Sequence, residues 1–351
     1  MKSLVCRSYG TSDGISVEEL PDPVPGPGEV LVRLSVSNVA YVDRLIVRGG
    51  YQVRPQVPFV PGVVGSGVVL DTGSDVTHLQ AGTRVVVLKS DYGTWSTHVV
   101  APAWAVVAIP SNVTDIAAAA AIEAYGTASY ALEDRGGIRA GERVLVLGAS
   151  GAVGAAAVDI ALHLDAHVIA YTSDPHMWDA HPVKPHMILD RRQVHLRESM
   201  RALYPDGVDL VLDPVGGDVA ESGLRSLASR GRYLVVGFAG GTIPKLPTNY
   251  ILLRNRSVVG VEWASWITDN PQHLARTLEV VLNRLARGVL HMPAPNAVPL
   301  AELPWALRGP VPSRGLVRTV VLLGDDQPDG AQATQKPATR AQRVHADAVS
   351  A

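Results

Sequence analysis

Three glycines, Gly148, Gly151 and Gly154, follow an apolar run and precede an alanine-rich segment in the stretch VLVLGASGAVGAAAVDIA, residues 144–161. The apolar run is typical of a strand buried on both faces, and the segment after the glycines is typical of a helix. Such glycines let backbone N–H groups approach the pyrophosphate of a dinucleotide, whose negative charge a helix N-terminus stabilises. The spacing is GxxGxxG rather than GxGxxG, so the flanking strand and helix carry the prediction of dinucleotide binding. The alternative is a glycine turn that only packs the helix on the strand.

The end of the next predicted strand, residues 167–172, favours NADPH over NADH. An NAD site usually has a carboxylate there to bind the ribose 2′-hydroxyl, whereas this strand is followed by Ser173 and only then by Asp174. The Ser173 hydroxyl and the guanidinium of Arg191, which follows a further strand candidate, would suit the 2′-phosphate of NADPH. Asp174 keeps NADH as the less favoured alternative. Solvated surface charge is the alternative role of Arg191 and Arg192.

The chain as a whole has 351 residues, a hydrophobic content of 47% and a formal net charge of −2. That length can supply two domains with a sizeable core, and the near-neutral charge argues against nucleic acid or an anionic membrane as a partner. No stretch reaches the ~20 unbroken apolar residues of a membrane span, and the N-terminus lacks the pattern of a secretion signal. The single cysteine, Cys6, excludes an internal disulfide and a zinc site built on several cysteines. We therefore expect a cytoplasmic location.

The elements that must position the glycine loop change in character along the chain. Short β-branched runs at residues 29–37 and 83–89, bounded by Gly and Pro, predict an all-β module in the first third. Residues 114–134 predict an alanine-rich helix. From about residue 142, buried-strand patterns alternate with helical patterns, which predicts βαβ units and a parallel sheet. Residues 315–323 predict a strand that returns to the first module.

Five motifs occur in order along residues 1–323: AGTRVVV, AYGTASYAL, GERVLVLGASGAVG, DLVLDPVGG and RGRYLVVGF. Their order resembles the medium-chain dehydrogenase/reductase superfamily, and within it the zinc-free quinone oxidoreductase branch. The resemblance implies an α/β fold, with a Rossmann-type doubly wound parallel sheet inserted in a GroES-like β-barrel domain. It also implies a dimer or a tetramer, of which we expect a homodimer. The expected boundaries are residues 1–124 for the first part of the substrate domain, 125–262 for the dinucleotide-binding domain and 263–323 for the return to the substrate domain. Residues 324–351 lack apolar periodicity and predict a flexible tail.

The positions at which the zinc-dependent branch of this superfamily binds its metal hold other residues here. Ala40 stands where that branch has its first cysteine, and Val63 and Val64 stand where it has a His-Glu pair. Alanine and valine side chains have no lone pair for a metal, so we expect no catalytic zinc. The zinc-free branch has an asparagine at the position of Ala40, and its pattern is matched at Asp43, Gly49 and Tyr51.

The resemblance also implies roles for individual residues. Tyr51 matches the tyrosine that related enoyl reductases place beside the nicotinamide, which makes its hydroxyl the candidate proton donor; lining a substrate pocket is the alternative. Thr127 matches a threonine that contacts the nicotinamide amide, and a hydroxyl that only bonds the preceding helical turn is the alternative. The expected cofactor-binding residues at the loop and at the ends of later strands are Gly148, Ser150, Gly151, Ala152, Val153, Gly154, Asp213, Val215, Gly237, Phe238 and Ala239.

Without a metal, hydride transfer requires an acceptor that is already electrophilic, such as a quinone or an α,β-unsaturated carbonyl compound. We therefore expect a zinc-independent, NADPH-dependent oxidoreductase that acts on a small, apolar, unsaturated substrate. A tailoring enzyme of a biosynthetic pathway is a narrower form of this hypothesis, favoured by the apolar residues at positions 40, 63 and 64. The alternative is an NADPH-binding scaffold protein of the same fold with no redox role.

Overall fold

The computed structural model describes residues 1–10, 14–51, 53–179, 181–308 and 318–324, so the predicted tail, apart from Gly324, lies outside the described residues. The strands are β1 Lys2–Cys6, β2 Ile15–Glu19, β3 Glu29–Asn38, β4 Val64–Thr72, β5 Arg84–Leu88, β6 His98–Pro102, β7 Val106–Ala108, β8 Arg143–Leu147, β9 His167–Thr172, β10 Met187–Asp190, β11 Val208–Asp213, β12 Leu227–Val235, β13 Ser257–Gly260, β14 Asn296–Pro299 and β15 Thr319–Leu322. The helices are α1 Tyr41–Val47, α2 Asp115–Ser129, α3 Ala152–His163, α4 Leu196–Leu203, α5 Val219–Arg225, α6 Thr248–Leu252, α7 Trp263–Asp269, α8 Pro271–Ala286 and α9 Leu303–Ala306. Helix α2 continues into a π-helical turn, Tyr130–Arg135. Within these ranges, no helix has both the length and the apolar character needed to cross a lipid bilayer.

Six strands form a parallel sheet in the order β10-β9-β8-β11-β12-β13. The chain leaves β8 toward one edge of the sheet and, after β10, crosses back to β11 on the other side of β8. Both faces are covered, because Val144 and Val146 of β8 pack in a cluster with residues of α3, whereas Leu145 and Leu147 pack in a cluster with residues of α5. This is the doubly wound arrangement that the sequence predicts, and its switch point lies between β8 and β11.

The other large sheet brings the two ends of the chain together. Its order is β14-β15-β3-β4-β5-β7, β6 also pairs with β3, and β1 and β2 form a small separate sheet. Residues 320–322 of β15 lie antiparallel to residues 36–38 of β3, so the strand predicted to return to the first module does so. The two large sheets confirm the predicted fold class, a parallel sheet inserted in a β-barrel domain. The domain boundaries stay a prediction.

Helix α2 lies between the two large sheets, and its alanine side chains make this possible. Ala119 and Ala120 pack in one cluster with Val36 of β3 and Val320 of β15. Other alanines of α2 pack in a second cluster with residues of β8 and α3. Because these side chains are small on both faces, the backbone of α2 approaches both sheets closely. The helix therefore helps to fix the position of one sheet against the other.

Gly67 of β4 allows a close approach between two strands. A Cβ atom at this position would overlap the backbone oxygen of Arg33 on β3. The register of β3 against β4 shifts between Leu34 and Val36, directly at the partner of Gly67. The glycine is therefore required by the contact between the strands, and the stretch that contains it takes no part in the glycine loop after β8.

Replacing Gly67 by alanine (Gly67→Ala) is expected to destabilise the protein by about 1–3 kcal/mol, the usual cost of forcing extra atoms into a packed region. The matched control is Gly260→Ala on the edge strand β13, where an added Cβ meets no heavy atom within 4 Å. Thermal unfolding followed by circular dichroism should give a lower Tm for Gly67→Ala than for the control. Equal Tm values would show that the two strands accommodate the extra methyl group.

Candidate functional site

The glycine loop connects β8 to α3 at the carboxyl end of the parallel sheet. Gly148 has a φ of +62°, and the N–H of Gly151 donates to the Gly148 carbonyl over 2.9 Å. Helix α3 begins after Gly151 without a side-chain cap. The N–H groups of its first turn, at Ala152, Val153 and Gly154, therefore have neither an intrahelical acceptor nor a capping side chain. This helix N-terminus lies at the switch point and is suited to bind an anion.

Two loop glycines are required by the space around them. A Cβ atom at Gly148 would meet the side chain of Val215, and a Cβ atom at Gly154 would overlap the Gly148 carbonyl oxygen. Ser150, between them, is buried. The loop thus has the backbone conformation and the close packing that a pyrophosphate site requires, and the residues present fit this part of a dinucleotide.

Asp213 at the end of β11 shapes the other side of the switch point. One carboxylate oxygen, Oδ1, accepts hydrogen bonds from the N–H groups of Val215 (2.8 Å) and Gly216 (2.9 Å). The other, Oδ2, accepts from the hydroxyl of Tyr233. Burial, and then the Asp213 charge, raises the pKa of Tyr233. Both oxygens of Asp213 are therefore bound within the protein, and Asp213 acts on the site by holding the turn that carries Val215.

The segment after β12 lies against this turn. The N–H of Gly237 donates to the Asp213 carbonyl over 3.3 Å, and the N–H of Ala239 donates to the Pro214 carbonyl over 3.1 Å. Phe238 lies between these two contacts. The structure therefore brings together the glycine loop and both strand-end segments that the sequence assigns to the cofactor; their contacts with a cofactor stay a prediction.

The ends of β9 and β10 place Ser173 and Arg191 near one another. The main-chain N–H of Arg191 donates to the Thr172 carbonyl over 2.8 Å. Arg192 is held by Asp190 through two hydrogen bonds of 3.1 Å. Arg191 is exposed, forms no ion pair among the described residues and lines a cleft of ≈ 460 Å³. Both arginines line this cleft, but they differ in pairing: Asp190 binds the Arg192 guanidinium, whereas no described carboxylate binds that of Arg191.

Tyr51 follows α1 and is half-buried. No described residue forms a hydrogen bond with its hydroxyl. Burial raises the pKa of Tyr51, and the negative charges of Glu262 and Glu123 raise it further. These two carboxylates therefore lie close enough to Tyr51 to disfavour its phenolate, and the hydroxyl stays protonated at neutral pH.

Asp43 of α1 is fully buried and lies beside Ala40, one of the positions at which the zinc-dependent branch binds its metal. Its Oδ2 accepts a hydrogen bond of 2.8 Å from the N–H of Ala40, while its Oδ1 has no partner in the part of the chain that the structure describes. Burial raises the pKa of Asp43 to about 8, so the group is a neutral acid at neutral pH. Ala40 and Val64 are buried and Val63 is half-buried. Among the residues that the structure describes, no group of three His, Cys, Asp or Glu side chains is placed to hold a metal ion.

Aromatic rings line the same region. The ring of Phe59 lies 5.9 Å from that of Tyr92 and 6.1 Å from that of Tyr9, measured between centroids. Burial raises the pKa of Tyr92 to about 12, with smaller contributions from Tyr51 and Asp43. Tyr92 therefore lies near enough to these two residues for their charges to affect it, and we call this electrostatically coupled group the tyrosine cleft: Asp43, Tyr51, Tyr92, Glu123 and Glu262.

Thr127 and Glu123 share one face of α2. The Thr127 hydroxyl donates to the Glu123 carbonyl over 2.7 Å, which is the local helical contact that the sequence left open as an alternative. Sequence reasoning missed Glu123. A spacing of four residues puts both on the same side of the helix, so a lone glutamate in an alanine-rich segment was the signal that could have revealed it.

Arg318 is a second residue that sequence reasoning missed. It lies just before β15, is buried, and donates from Nη2 to the carbonyl of Ala152 over 3.2 Å. Its guanidinium lies 5.0 Å from the ring centroid of Tyr125. Burial raises the pKa of Glu123, and the Arg318 charge acts in the opposite direction. A buried cation from the returning strand therefore contacts the first residue of α3, and its charge lowers the pKa of Glu123.

Known proteins share both parts of this arrangement. The family described as "Alcohol dehydrogenase GroES-like domain" matches residues 26–111, and that described as "Zinc-binding dehydrogenase" matches residues 152–279. Quinone oxidoreductase-like protein 2 of Mus musculus is 36% identical over 281 residues, which are 79% of this chain and 80% of the relative. A probable oxidoreductase from Mycobacterium abscessus has a TM-score of 0.80 and 30% identity, over 92% of this chain and 98% of that chain. A mycobacterial protein whose structure is complexed with NADPH has a TM-score of 0.82 and 24% identity, over 92% and 100% of the two chains, which is a likeness of fold.

The chain belongs to the medium-chain dehydrogenase/reductase superfamily of oxidoreductases, in the zinc-free, quinone oxidoreductase-like branch. The resemblance predicted from the motifs is therefore confirmed. Zinc appears in the description of one matching family, whereas Ala40, Val63 and Val64 occupy the ligand positions of this chain.

Asp43→Asn is expected to remove a pH dependence from the stability of the protein. The Asp43 carboxyl ionises near 3.8 when exposed but keeps its proton to about pH 8 in the folded state. The folded state therefore binds more protons between these values, and wild-type stability falls as pH rises through this window. Asparagine mimics the neutral acid and does not titrate. In urea unfolding, the free energy of unfolding of the variant relative to that of the wild type should increase by up to about 1.4 kcal/mol for each unit by which pH rises in this window.

The control for this titration is Asp269→Asn at the exposed end of α7. Its stability should follow that of the wild type across the same pH range. A constant difference between Asp43→Asn and wild type from about pH 5 to about pH 8 would show that Asp43 is already ionised in the folded protein.

Proposed function

We propose that this chain is a zinc-independent, NADPH-dependent oxidoreductase that reduces a quinone or an α,β-unsaturated carbonyl compound. The observation that carries the proposal is the uncapped N-terminus of α3 at the switch point, with the Arg318 guanidinium hydrogen-bonded to its first residue. Free N–H groups and a buried cation in one place suit a pyrophosphate. Membership of an oxidoreductase superfamily supports the same conclusion.

The residues that would hold the cofactor follow the edge of the parallel sheet. The first-turn N–H groups of α3 and Arg318 suit the pyrophosphate, and Arg191 with Ser173 suits the 2′-phosphate of NADPH. Val215 and Phe238 border the crevice toward the nicotinamide end. When bound, the nicotinamide supplies a hydride to the substrate. The NADPH complex of the mycobacterial structure with the same fold supports this choice of cofactor.

The tyrosine cleft suits an apolar, unsaturated substrate. The rings of Phe59 and Tyr92 give it aromatic walls, and no residue at position 40, 63 or 64 can activate an alcohol. Reduction at the β-carbon of an enone leaves a carbanion equivalent at the α-carbon, which requires a proton. We assign that proton to the Tyr51 hydroxyl, since burial keeps it protonated and no described residue binds it.

An NADPH-binding scaffold without redox activity is the competing function. It shares the glycine loop, Arg318 and Arg191 with the reductase, so cofactor affinity does not separate the two. The two functions differ in turnover of NADPH, which only the reductase shows. The homodimer, the cytoplasmic location and a role as a biosynthetic tailoring enzyme stay predictions.

Arg191→Ala is expected to weaken NADPH binding and to leave NADH binding nearly unchanged. The lost charge-assisted contact to the 2′-phosphate corresponds to roughly 10- to 100-fold in Kd. The matched control is Arg192→Ala, because the Arg192 guanidinium is already bound by Asp190. Titration of each variant with NADPH and with NADH, followed by the fluorescence of the reduced nicotinamide, measures the two dissociation constants. Equal losses of affinity for NADPH and for NADH in Arg191→Ala would show that Arg191 does not bind the 2′-phosphate.

Tyr51→Phe is expected to lower kcat with an α,β-unsaturated substrate by roughly 100-fold or more, with little change in Kd for NADPH, because only the proton donor is lost. NADPH consumption is followed with a panel of quinones, 2-alkenals and enoyl thioesters. The control is Tyr41→Phe, a tyrosine of α1 that is 44% exposed. Unchanged turnover and product stereochemistry in Tyr51→Phe would remove Tyr51 from the proton step. Tight NADPH binding without turnover by the wild type on any compound would favour the scaffold function.

A further inference from the structure

Arg318 is a buried cation that no described carboxylate binds. It is 8% exposed, so more than nine-tenths of the residue is buried. Its Nη2 donates to the Ala152 carbonyl over 3.2 Å, whereas its Nε–H has no acceptor in the described part of the chain. Its charge opposes the rise that burial causes in the pKa of Glu123, but no described hydrogen bond joins the two side chains. Because a buried arginine is usually paired with an anion, its present surroundings are incomplete.

The ring of Tyr125 on α2 occupies the place of the missing carboxylate. The guanidinium Cζ of Arg318 lies 5.0 Å from the centroid of this ring. The face of an aromatic ring attracts a cation through its quadrupole and carries no net charge. Tyr125 is itself buried, so packing fixes the ring in this position. The contact therefore holds the guanidinium without neutralising it.

Asp159 of α3 holds the other end of Tyr125. Its Oδ2 accepts hydrogen bonds from the Tyr125 hydroxyl over 2.8 Å and from the main-chain N–H of His291 over 2.6 Å. Its Oδ1 lies 3.1 Å from Nδ1 of His291. A hydroxyl that donates to a carboxylate is polarised, which makes its ring more electron-rich and a better partner for a cation. Asp159 therefore acts on Arg318 through the tyrosine and not through an ion pair.

These contacts place the guanidinium at the first residue of α3. Ala152 follows the N-cap Gly151, which provides no side-chain cap, so the N–H groups of the first turn are without acceptors there. A cation beside such a turn adds charge-assisted hydrogen bonds for an anion. A carboxylate bound directly to Arg318 would compete with that anion. The tyrosine avoids this competition, because it separates the charge of Asp159 from that of Arg318.

We propose that Tyr125, held by Asp159, positions the Arg318 guanidinium for the pyrophosphate of the cofactor and keeps it free of a carboxylate until the cofactor binds. The inference rests on the proposed function, because it takes the glycine loop as the pyrophosphate site. Both are positioning residues, since they act through Arg318 and need no contact with the cofactor.

The experiment measures the affinity of the wild type, Tyr125→Leu and Arg318→Gln for two ligands. NADPH contains the pyrophosphate, whereas adenosine 2′-monophosphate contains the 2′-phosphate alone and is measured by competition with NADPH fluorescence. Arg318→Gln should weaken NADPH binding by roughly 10- to 100-fold, because a charge-assisted contact is lost. Tyr125→Leu should weaken it by roughly 10-fold, because the guanidinium is no longer held. Neither variant should change the affinity for adenosine 2′-monophosphate.

The matched control is Tyr130→Leu. Tyr130 is also buried and follows α2 directly, but its ring stacks on that of Trp266 at a centroid distance of 4.6 Å. The same volume is lost in both variants, so a general effect of the substitution on packing appears in each. Tyr130→Leu should bind NADPH as the wild type does.

The combination of Tyr125→Leu with Arg318→Gln tests whether the tyrosine acts through the arginine. In the Arg318→Gln background, Tyr125→Leu should change the Kd for NADPH by less than about 2-fold, because the group that it positions is absent. Tyr125→Phe retains the ring and loses only the bond to Asp159. It should fold like the wild type and weaken NADPH binding by less than Tyr125→Leu does.

Three outcomes would overturn the positioning role while the cofactor site stands. Equal losses of affinity for both ligands in Tyr125→Leu would show general damage to the protein. Losses that multiply in the double variant would show that Tyr125 acts independently of Arg318. An NADPH affinity unchanged in both Tyr125→Leu and Tyr125→Phe would show that the ring positions nothing.

The wild type distinguishes these outcomes from failure of the proposed function. A wild type that binds NADPH but oxidises none with any acceptor would contradict the reductase function and leave the positioning role intact. A wild type that binds neither NADPH nor NADH would contradict both, and its titration alone shows this before any variant is compared.

Discussion

The packing of α2 between the two large sheets is the constraint on which the cleft depends. At its N-terminus, the Asp115 carboxylate accepts hydrogen bonds from Arg84 (2.7 Å) and from the Ser35 hydroxyl (2.9 Å), which bind the helix to β5 and β3. In its second half, the buried hydroxyl of Tyr125 donates to Asp159 of α3 over 2.8 Å, which binds the helix to the parallel sheet's side. Alanines fill the space between these anchors. The helix therefore cannot shift toward one sheet without losing contact with the other, and this fixes the position of Glu123 and Thr127, two partly exposed polar residues in its second half.

This arrangement separates charge within one molecule. The edge of the parallel sheet is positive, because it combines the N-terminus of α3 with Arg318 and the unpaired Arg191. The tyrosine cleft is acidic, because Glu123 and Glu262 raise the pKa of Tyr51 and no cation binds either carboxylate through a described hydrogen bond. The first region therefore suits an anionic group, and the second disfavours one. Arg318 lies where the two regions meet, and its charge acts on both.

Local patterns in the amino-acid sequence predict much of this architecture. The strand, glycine turn and helix around residues 143–163 lie where periodicity and glycine spacing place them, because a buried parallel strand and a tight turn leave strong local signals. The functional site could not be predicted in the same way, because its contacts form only in the folded chain. Which of Arg191 and Arg192 remains free depends on an ion pair that only folding forms. Glu123 carried a weak local signal within an alanine-rich helix, and the contact between Arg318 and α3 spans 166 residues, a separation at which pattern carries no information.

The proposed reduction with NADPH and without a metal is the claim on which these assignments most depend. It is tested most directly by the rate of NADPH oxidation with a quinone or enone acceptor, measured before and after exhaustive dialysis of the protein against a zinc chelator. We predict equal rates and no increase when Zn²⁺ is added back, because Ala40, Val63 and Val64 offer a metal no ligand. A rate that disappears with the chelator and returns with zinc would contradict this assignment.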